Sequence, residues 1–319
     1  MLERMSRRSF LELGAAAGMT TMLPRGLGAQ AATVAERAAQ ARADASTTPI
    51  QTTRLYDNVH LLQGAGGNMV LQTGPEGNLL IDSSFAPAVP RIREAIKALD
   101  DGASAAGGIL INTHWHSDHT GGNEGLHSAG FTIFAQQNTR QRLSTPQTLK
   151  MFHVNSPASP TGGWPTMTFE NALHLWRNGD SLDLVYFDPA HTDTDIYIHF
   201  HKANVLHAGD TWFHGFYPFI DEGTGGSIGG VIRAVETVQS LADNGTRIVP
   251  GHGPLGSKAD LQKYHEMLST IRDRVAALKA SGATEEEAIA KKPTAEFDAA
   301  MGTGMMNPGN FTGIVYRTL

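Results

Sequence analysis

The chain has 319 residues, 40% of them hydrophobic, so it is long enough to bury a large core. It contains no cysteine, which excludes both a disulfide framework and thiolate metal ligands. Its formal net charge of −6 is mild and offers no basic surface for nucleic acid. We therefore expect a globular protein whose partners do not include DNA or RNA.

The N-terminal segment has the features of an export signal. Residues 1–31 combine Arg7 and Arg8 with a modestly apolar run, rich in glycine and alanine, and end on a small-x-small cleavage pattern. This arrangement is typical of a bacterial twin-arginine signal, and the apolar run is too short and too weak for a permanent membrane span. We predict recognition by the twin-arginine export machinery, a periplasmic location and no stable membrane anchor. The alternative is a disordered basic tail.

The next segment leads into the folded part of the chain. Residues 32–50 are rich in alanine with scattered charges, and they predict a helical or disordered lead-in without a function of its own. Short strands are predicted over 56–63, 68–73 and 78–82, separated by glycine-rich turns. These strands indicate the antiparallel start of a single domain that extends over residues 51–319.

A helix and a long irregular segment are predicted in the middle of the chain. Residues 90–99 place Ile92, Ile96 and Leu99 at helical spacing. Residues 136–170 are polar and rich in proline and glycine, and they show no firm period. A loop of this length in a compact domain is usually a lid or a binding loop, so we predict a loop on the substrate side.

The second half of the chain carries further strands and a helical end. Strands are predicted over 181–187, 195–201, 204–207 and 247–249, with a helix over 228–241. Ser257 and Asp260 form a capping-box pattern, which predicts the start of a long amphipathic helix. Residues 258–319 are therefore expected to form a helical cap docked on the domain.

Candidate metal ligands are densest directly after a short apolar run at 108–111, which predicts a buried strand. His114 and His116 are two residues apart, so in an extended segment their side chains point the same way and can close on one ion. Asp118 and His119 follow at a turn and can face a second ion. Imidazole and carboxylate together suit zinc without excluding iron or manganese. The alternative is a solvated polar loop.

Three later motifs complete a pattern with this run. His191 precedes a threonine, Asp210 follows a glycine after a predicted strand, and His252 lies in Pro-Gly-His-Gly. The whole set, in this order, resembles the signature of the metallo-β-lactamase superfamily over residues of about 55 to 261. The resemblance implies an α/β fold: an αββα four-layer sandwich of two mixed β-sheets flanked by helices.

The resemblance also implies a site and a reaction. Two zinc ions per chain would be held by seven ligands: His114, His116 and His191 on the first ion, Asp118, His119 and His252 on the second, and Asp210 between them. Zinc can lower the pKa of bound water to near 7, so a zinc-bound hydroxide would attack an acyl carbon. Asp118 is the predicted catalytic residue, because its free oxygen can orient this nucleophile.

Five further residues are predicted to line the substrate pocket. Trp115 lies within the first motif, and Trp212 and Tyr217 lie in an aromatic cluster that follows the bridging aspartate. Gly66 and Asn68 belong to a segment that matches a turn which overhangs the metals in the family. The alternatives are core packing for the aromatic residues and a plain hairpin for the turn.

The other histidines have less specific interpretations. His199 and His201 alternate on a strand, but no nearby carboxylate cluster completes a site. His207 is a candidate supporting residue for the metal ligands, and His153 and His214 lie in loops that could reach a substrate. Surface or packing positions are expected for His60, His127, His174 and His265.

The residue at position 210 bears on the substrate. The best-known β-lactamases of the family carry cysteine or serine there, whereas aspartate is typical of thioesterases, lactonases and phosphodiesterases. The favoured hypothesis is an exported zinc hydrolase of small acyl substrates, with β-lactam amides as the substrate class. The alternatives are a lactonase or thioesterase on the same scaffold, or an accessory protein that keeps the metal site and resembles those found with quinoprotein dehydrogenases.

Overall fold

The computed structural model describes residue 36 and residues 39–100, 107–152 and 154–319. The predicted export signal at residues 1–31 lies outside the described residues, as does His153. Within the described part of the chain, no helix has the length and apolar character needed to cross a membrane.

The first half of the chain forms a seven-stranded sheet with the strand order β1-β2-β3-β4-β5-β6-β9. Neighbours from β1 to β4 are antiparallel, and those from β4 onward are parallel, so the sheet is mixed. β7 and β8 form a separate hairpin. The strands are β1 (Gln51–Tyr56), β2 (Val59–Gln63), β3 (Met69–Gln72), β4 (Asn78–Ile81), β5 (Gly108–Ile111), β6 (Phe131–Gln136), β7 (Gln147–Leu149), β8 (Val154–Ser156) and β9 (Met167–Phe169).

The second sheet has five strands in the order β10-β11-β12-β13-β14. Its pairs are antiparallel except for the last, β13 with β14, which is parallel. The strands are β10 (Ala172–Arg177), β11 (Asp180–Tyr186), β12 (Ile196–Phe200), β13 (Val205–His207) and β14 (Arg247–Val249).

Helices flank the two sheets. After a helical stretch at residues 39–44, the described helices are α1 (Val89–Leu99), α2 (Ser117–Thr120), α3 (Asn123–Ser128), α4 (Gln137–Leu143), α5 (Ile228–Leu241), α6 (Lys258–Ala280), α7 (Glu285–Ala290), α8 (Asp298–Met301) and α9 (Pro308–Arg317). The capping box predicted at Ser257 and Asp260 is present at the start of α6. The second box, at Thr284 and Glu287, starts α7 in the same way.

Three buried clusters hold the layers together. One lies between the sheets, where Val70 and Ile111 of the first sheet meet Leu184 and Ile198 of the second. The other two lie on the outer faces, under α1 on one side and under α5, α6 and α9 on the other. The order is therefore helix, sheet, sheet, helix, and the prediction of an αββα sandwich is confirmed.

The described part of the lead-in is helical at residues 39–44, and Ala45 behind it is only 1% exposed and belongs to the cluster under α1. One segment differs from the sequence-based description. Residues 136–170 are not one continuous loop, since they contain α4, the β7–β8 hairpin and the edge strand β9. Strands of three residues are too short to show a period in the sequence, which is why the pattern missed them.

Candidate metal centre

The first motif lies where β5 ends and the chain turns towards a short helix. The chain bends at residues 113–115 instead of continuing as a strand, and Asp118 and His119 lie on α2. The predicted extended geometry is thus replaced by a bend. The two imidazoles nevertheless lie close together, since the ring centroids of His114 and His116 are 4.9 Å apart.

The later candidate ligands also lie beyond strand ends. His191 lies in the connection between β11 and β12, Asp210 in a 3-10 turn after β13, and His252 just after β14. A rigid sheet thus carries ligands on the loops at its edge, where loops can vary without disturbing the core. The structure brings all seven candidate ligands together in two groups.

The first group is His114, His116 and His191 with Asp210. Nδ1 of His116 lies 2.9 Å from Nε2 of His191. Oδ2 of Asp210 lies 3.7 Å from Nε2 of His114 and 3.5 Å from Nε2 of His191. Four ligand atoms from three separate segments therefore converge on one small space.

The second group is Asp118, His119 and His252. Nε2 of His252 lies 3.1 Å from Oδ2 of Asp118 and 3.3 Å from Nε2 of His119. Asp210 also faces this group, with Oδ1 at 3.1 Å from Nε2 of His119 and Oδ2 at 3.5 Å from Nε2 of His252. Asp210 is thus a carboxylate placed between the two groups.

The outer nitrogen of each imidazole in the first group has a hydrogen-bond partner. Nδ1 of His191 lies 2.7 Å from the carbonyl oxygen of Phe219, and Nε2 of His116 lies 3.2 Å from Oδ2 of Asp221. These acceptors place the proton on the outer nitrogen of each ring. The inner nitrogens, which face each other, are left with lone pairs available for a metal.

A second acidic residue orients two further rings. Nδ1 of His119 lies 2.7 Å from Oδ2 of Asp82, and the hydroxyl of Thr113 donates to the same carboxylate at 2.7 Å. Because that hydroxyl is already a donor, its oxygen can accept from Nδ1 of His114 at 3.0 Å. Asp82 therefore orients His119 directly and His114 through Thr113, with both inner nitrogens directed at Asp210.

This arrangement fits metal ions. Two imidazole lone pairs that face each other at 2.9 Å repel unless a cation lies between them. Nε2 of His114 is buried without a hydrogen-bond partner among the described residues, although buried polar atoms nearly always have one. Imidazole nitrogen and carboxylate oxygen are also ligand types that zinc accepts. The residues therefore fit cations in both groups.

The two groups differ in their electrostatics. Burial lowers the pKa of His114 well below its ordinary value, and burial lowers that of His191 to about 4. In the second group burial acts in the same direction, but nearby carboxylates outweigh it. Asp210 and Asp118 raise the pKa of His252 to about 9, and the pKa of His119 is also raised well above its ordinary value.

Comparison with known proteins identifies the family. A sequence model of the family described as the metallo-beta-lactamase superfamily matches residues 62–252. The chain belongs to this superfamily. The match begins in β2 and ends at His252, so it spans every candidate ligand.

Several solved structures share the fold of this superfamily member. A metallo-beta-lactamase from Pontibacter korlensis is 17% identical, with a TM-score of 0.55 over 69% of this chain and 99% of that one. A metallo-beta-lactamase from Cronobacter sakazakii is 20% identical, with a TM-score of 0.58 over 74% and 98%. A stereoselective inverting sec-alkylsulfatase from Pseudomonas sp. is 14% identical, with a TM-score of 0.64 over 84% of this chain but 50% of that one. At these identities the likeness shows the fold alone.

A cavity of about 710 Å³ opens beside the two ligand groups. His116, Asp118, Asp210 and His252 form part of its wall. The remaining wall is largely apolar and comes from distant segments. Its apolar residues include Phe85, Leu143, Leu149, Val154, Phe213, Phe216, Met305 and Met306.

Two of the five predicted pocket residues line this cavity, and three do not. Trp115 and Tyr217 are among its lining residues. Trp212 is instead fully buried and stacks on His214 with ring centroids 4.8 Å apart. Its position is the core packing that was considered as the alternative.

Gly66 and Asn68 support the site from behind and do not line the cavity. The side-chain amide of Asn68 donates to the carbonyl oxygens of Pro250 and Gly253, each at 2.9 Å, and so fixes the loop that carries His252. A Cβ at Gly66 would collide with the hydroxyl of Ser84, so this close approach requires glycine. The predicted turn therefore holds the ligand loops, and it contributes Ala65 to the cavity wall instead of Gly66 and Asn68.

Three acidic residues of the site were missed in the sequence. Asp82 and Asp221 orient the imidazoles, and Asp195 accepts hydrogen bonds from the backbone nitrogens of His191 and Thr192 at 2.7 and 2.8 Å. Burial raises the pKa of Asp195 to about 7, against these bonds. The one signal for Asp82 is its position directly after a buried strand, and many acidic residues share such a position.

Two predictions about other histidines can be compared with the structure. His207 lies within hydrogen-bond distance of Asn68 and accepts from the backbone nitrogen of Gly209 at 3.1 Å, so it supports the turn that carries Asp210. For His199 and His201, where no carboxylate cluster was expected, the structure adds one nearby carboxylate. Asp183 lies on the neighbouring strand, within hydrogen-bond distance of His201.

Proposed function

We propose that the protein is a two-zinc hydrolase in which a nucleophile derived from water attacks the acyl carbon of a small molecule. The observation that carries this proposal is the placement of Asp210 between two groups of ligands beside a cavity. When bound, zinc would supply a nucleophile at neutral pH and polarise the substrate carbonyl. Membership of a superfamily of metallo-hydrolases supports the reaction class.

Asp118 is the proposed catalytic residue. Its side chain lines the cavity and is 27% exposed, whereas Asp210 is 4% exposed. Although burial opposes the change, His119 and His252 hold the pKa of Asp118 below its ordinary value. The carboxylate is therefore ionised at neutral pH and can accept a hydrogen bond that orients the attacking water.

The cavity wall supports an apolar acyl substrate. Arg142 lines the cavity, but its guanidinium pairs with the carboxylate of Asp193, including a 3.0 Å bond from Nε to Oδ1. Its charge is therefore largely neutralised by this pair. A lactone or thioester with an apolar chain would meet mostly apolar side chains. We accordingly place these substrates first and β-lactam amides second.

A β-lactam is the second candidate substrate, and one positively charged side chain supports it. Arg42 lines the cavity and is exposed, and no ion pair to it is present among the described residues. Such a guanidinium could bind the carboxylate that penicillins and cephalosporins carry. A β-lactam would then have its amide at the metals and its carboxylate at Arg42.

Export is part of the same proposal. Residues 1–31 would direct the folded protein through the twin-arginine machinery to the periplasm, where small molecules and not nucleic acids would be its partners. Replacement of Arg7 and Arg8 by lysine should keep the protein in the cytoplasm, as cell fractionation would show. Unchanged periplasmic delivery of this variant would contradict the twin-arginine route.

The activity test uses protein without residues 1–31, stripped with a chelator and reloaded with zinc. Lactones and thioesters of increasing chain length, and a chromogenic cephalosporin, are compared with His116→Ala as the blank. We expect kcat/KM of about 10⁴ M⁻¹s⁻¹ or above for an apolar substrate, which is an ordinary enzyme value. Faster turnover of the cephalosporin would favour the second candidate. Fully metallated protein that is inert to all three substrate types would contradict the hydrolase proposal and favour an accessory role.

A further inference from the structure

One short segment supplies the hydrogen-bond acceptors for the outer nitrogens of two imidazoles in the first ligand group. The carbonyl oxygen of Phe219 accepts from Nδ1 of His191 at 2.7 Å, and Oδ2 of Asp221 accepts from Nε2 of His116 at 3.2 Å. The backbone nitrogen of Asp221 also donates to the carbonyl oxygen of His191 at 2.9 Å. The position of this segment therefore sets the direction of both inner nitrogens.

The Asp221 turn, residues 221–226, is held together by its own hydrogen bonds. Oδ2 of Asp221 accepts from the hydroxyl of Thr224 at 2.9 Å, and its carbonyl oxygen accepts from the backbone nitrogen of Gly226 at 2.9 Å. A Cβ at Gly226 would lie 2.3 Å from the carbonyl oxygen of His191, so this close approach requires glycine. Because the turn is a compact unit, a contact that fixes one of its residues also restrains the carboxylate of Asp221.

The C-terminal helix holds the Asp221 turn from the outside. Nε of Arg317, at the end of α9, donates to Oε2 of Glu222 at 2.9 Å, and its Nη1 pairs with the carboxylate of Glu285 on α7. A Cβ at Gly313 would lie 2.5 Å from Oε1 of Glu285, so a glycine on α9 leaves room for this pair. Arg317 thus joins the Asp221 turn to two helices.

The docking of α9 does not depend on Arg317 alone. The hydroxyl of Thr318 accepts from the backbone nitrogen of Ile228 at 3.2 Å, and the rings of Tyr217 and Phe311 stack with centroids 4.8 Å apart. The side chain of Arg317 is 36% exposed, and ion pairs at such positions contribute little to the stability of the whole fold. Its removal should therefore loosen the Asp221 turn and leave the helix in place.

We propose that Arg317 is a positioning residue that acts on His116 of the first ligand group through the turn that carries Asp221. The bond from Arg317 holds the turn so that the carboxylate stays on Nε2 of His116, with Nδ1 of that ring directed into the group. Loss of Arg317 should weaken the ion of the first group selectively. This inference rests on the proposed two-ion site and not on the identity of the substrate.

Metal affinity provides the first test. Full-length zinc-loaded Arg317→Gln and Glu222→Gln are compared with wild type by competitive chelator titration. Each variant should weaken the first-group ion by about threefold to tenfold, less than the loss of a direct orienting partner, because the effect acts one step further out. The second-group ion should bind as in wild type.

An arginine elsewhere in the C-terminal region is the matched control. Arg274 is 42% exposed, and its bonds are to the carbonyl oxygen of Pro293 and the carboxylate of Glu296, outside the Asp221 turn. Arg274→Gln removes a comparable ion pair, so it should leave the affinity of both ions unchanged.

Two further measurements separate positioning from general stability. In the zinc-loaded protein, the Nε2 proton of His116 should give a slowly exchanging signal in a ¹⁵N-edited spectrum, because it is bonded to Asp221, and Arg317→Gln should accelerate its exchange. The Asp221→Asn/Arg317→Gln double variant should bind the first-group ion at most about twofold more weakly than Asp221→Asn, since effects that share one route do not add.

Three outcomes would overturn the proposal. The first is wild-type metal affinity together with wild-type exchange of the His116 signal in Arg317→Gln. The second is equal weakening of both ions, and the third is an additive loss in the double variant, because each of these indicates a general loosening of the fold. Neither readout requires turnover, so zinc uptake without hydrolysis would contradict the proposed reaction and leave this inference standing.

Discussion

The two ligand groups of the metal centre are neighbours but have different surroundings. In the first group, His114 and His191 are fully buried, and burial lowers the pKa of each. In the second, Asp118 and His252 are each 27% exposed at the cavity, and carboxylates raise the pKa of His252 to about 9. His114 and His191 are thus enclosed and neutral, whereas His252 faces the cavity and carries a proton at neutral pH when no metal is bound.

If each group holds one ion, as proposed, the two ions should not be equivalent. A metal in the first group displaces few protons from His114 and His191 at neutral pH, because burial already keeps these two imidazoles neutral. A metal in the second group must displace the proton that the carboxylates favour on His252. We therefore expect tighter, less pH-dependent binding in the first group and an exchangeable ion in the second.

The largest expected effect comes from the residue that both groups share. Asp210→Asn removes the carboxylate charge between them, so kcat/KM should fall by about 10³-fold, or about 4 kcal/mol, and both metals should bind more weakly. Elemental analysis and steady-state kinetics measure the two effects. Asp57→Asn is the control, since this aspartate is 83% exposed. Full activity of Asp210→Asn would contradict the proposal that this carboxylate serves both ligand groups.

The pH dependence should separate the groups. The raised pKa of His252 means that its proton competes with the metal at every pH below about 9, so affinity in the second group should fall with decreasing pH. The expected fall is about tenfold per pH unit for each displaced proton. The lowered pKa of His191 means that a proton competes with the metal at this imidazole only near pH 4 and below. Titration with a chelator at pH 8, 7 and 6 should therefore release one ion first, and simultaneous release would contradict the comparison.

Replacement of a carboxylate that orients the imidazoles should lower metal affinity by a smaller amount, and the loss should differ between the two groups. Asp221→Asn should weaken binding in the first group, because Asp221 orients His116. Asp82→Asn should act on both groups, since Asp82 orients His119 directly and His114 through Thr113. Loss of such a supporting residue costs about 10- to 100-fold in metal affinity. Competitive chelator titration would measure this loss. Equal effects of the two variants on both ions would show that the groups are not oriented independently.

The smallest effect is expected at the apolar wall. Met305→Ala and Val154→Ala each remove apolar contact with a substrate chain, at about 0.8 kcal/mol per buried methylene. KM for long-chain substrates should rise several-fold with little change in kcat. Met167→Ala is the control, because Met167 lies on β9 away from the cavity wall and is 51% exposed. A rise in KM that does not depend on chain length would contradict an apolar substrate site.

The sequence was most informative where a motif is local. The spacing of His114, His116, Asp118 and His119 after an apolar run indicates a metal site without knowledge of the fold, and the resemblance to the superfamily adds His191, Asp210 and His252. The αββα layers were also predictable, because the family signature implies them and the apolar runs agree with it. The position of Trp212 was harder to predict, since proximity to a ligand in the sequence does not reveal whether a ring faces the cavity or the core.

The remaining features depend on contacts between distant parts of the chain. The meeting of Asp221 with His116, the return of Met305 to the cavity, and the pairing of Asp183 with His201 join residues far apart in the sequence. Strand register and packing of the layers set these distances. Local sequence was therefore enough for the family, the layered fold and the ligand types. Only the tertiary structure decided which ligand atoms lie in the same group and which ring nitrogens are bonded to acceptors outside the groups. It also decided which side chains line the cavity.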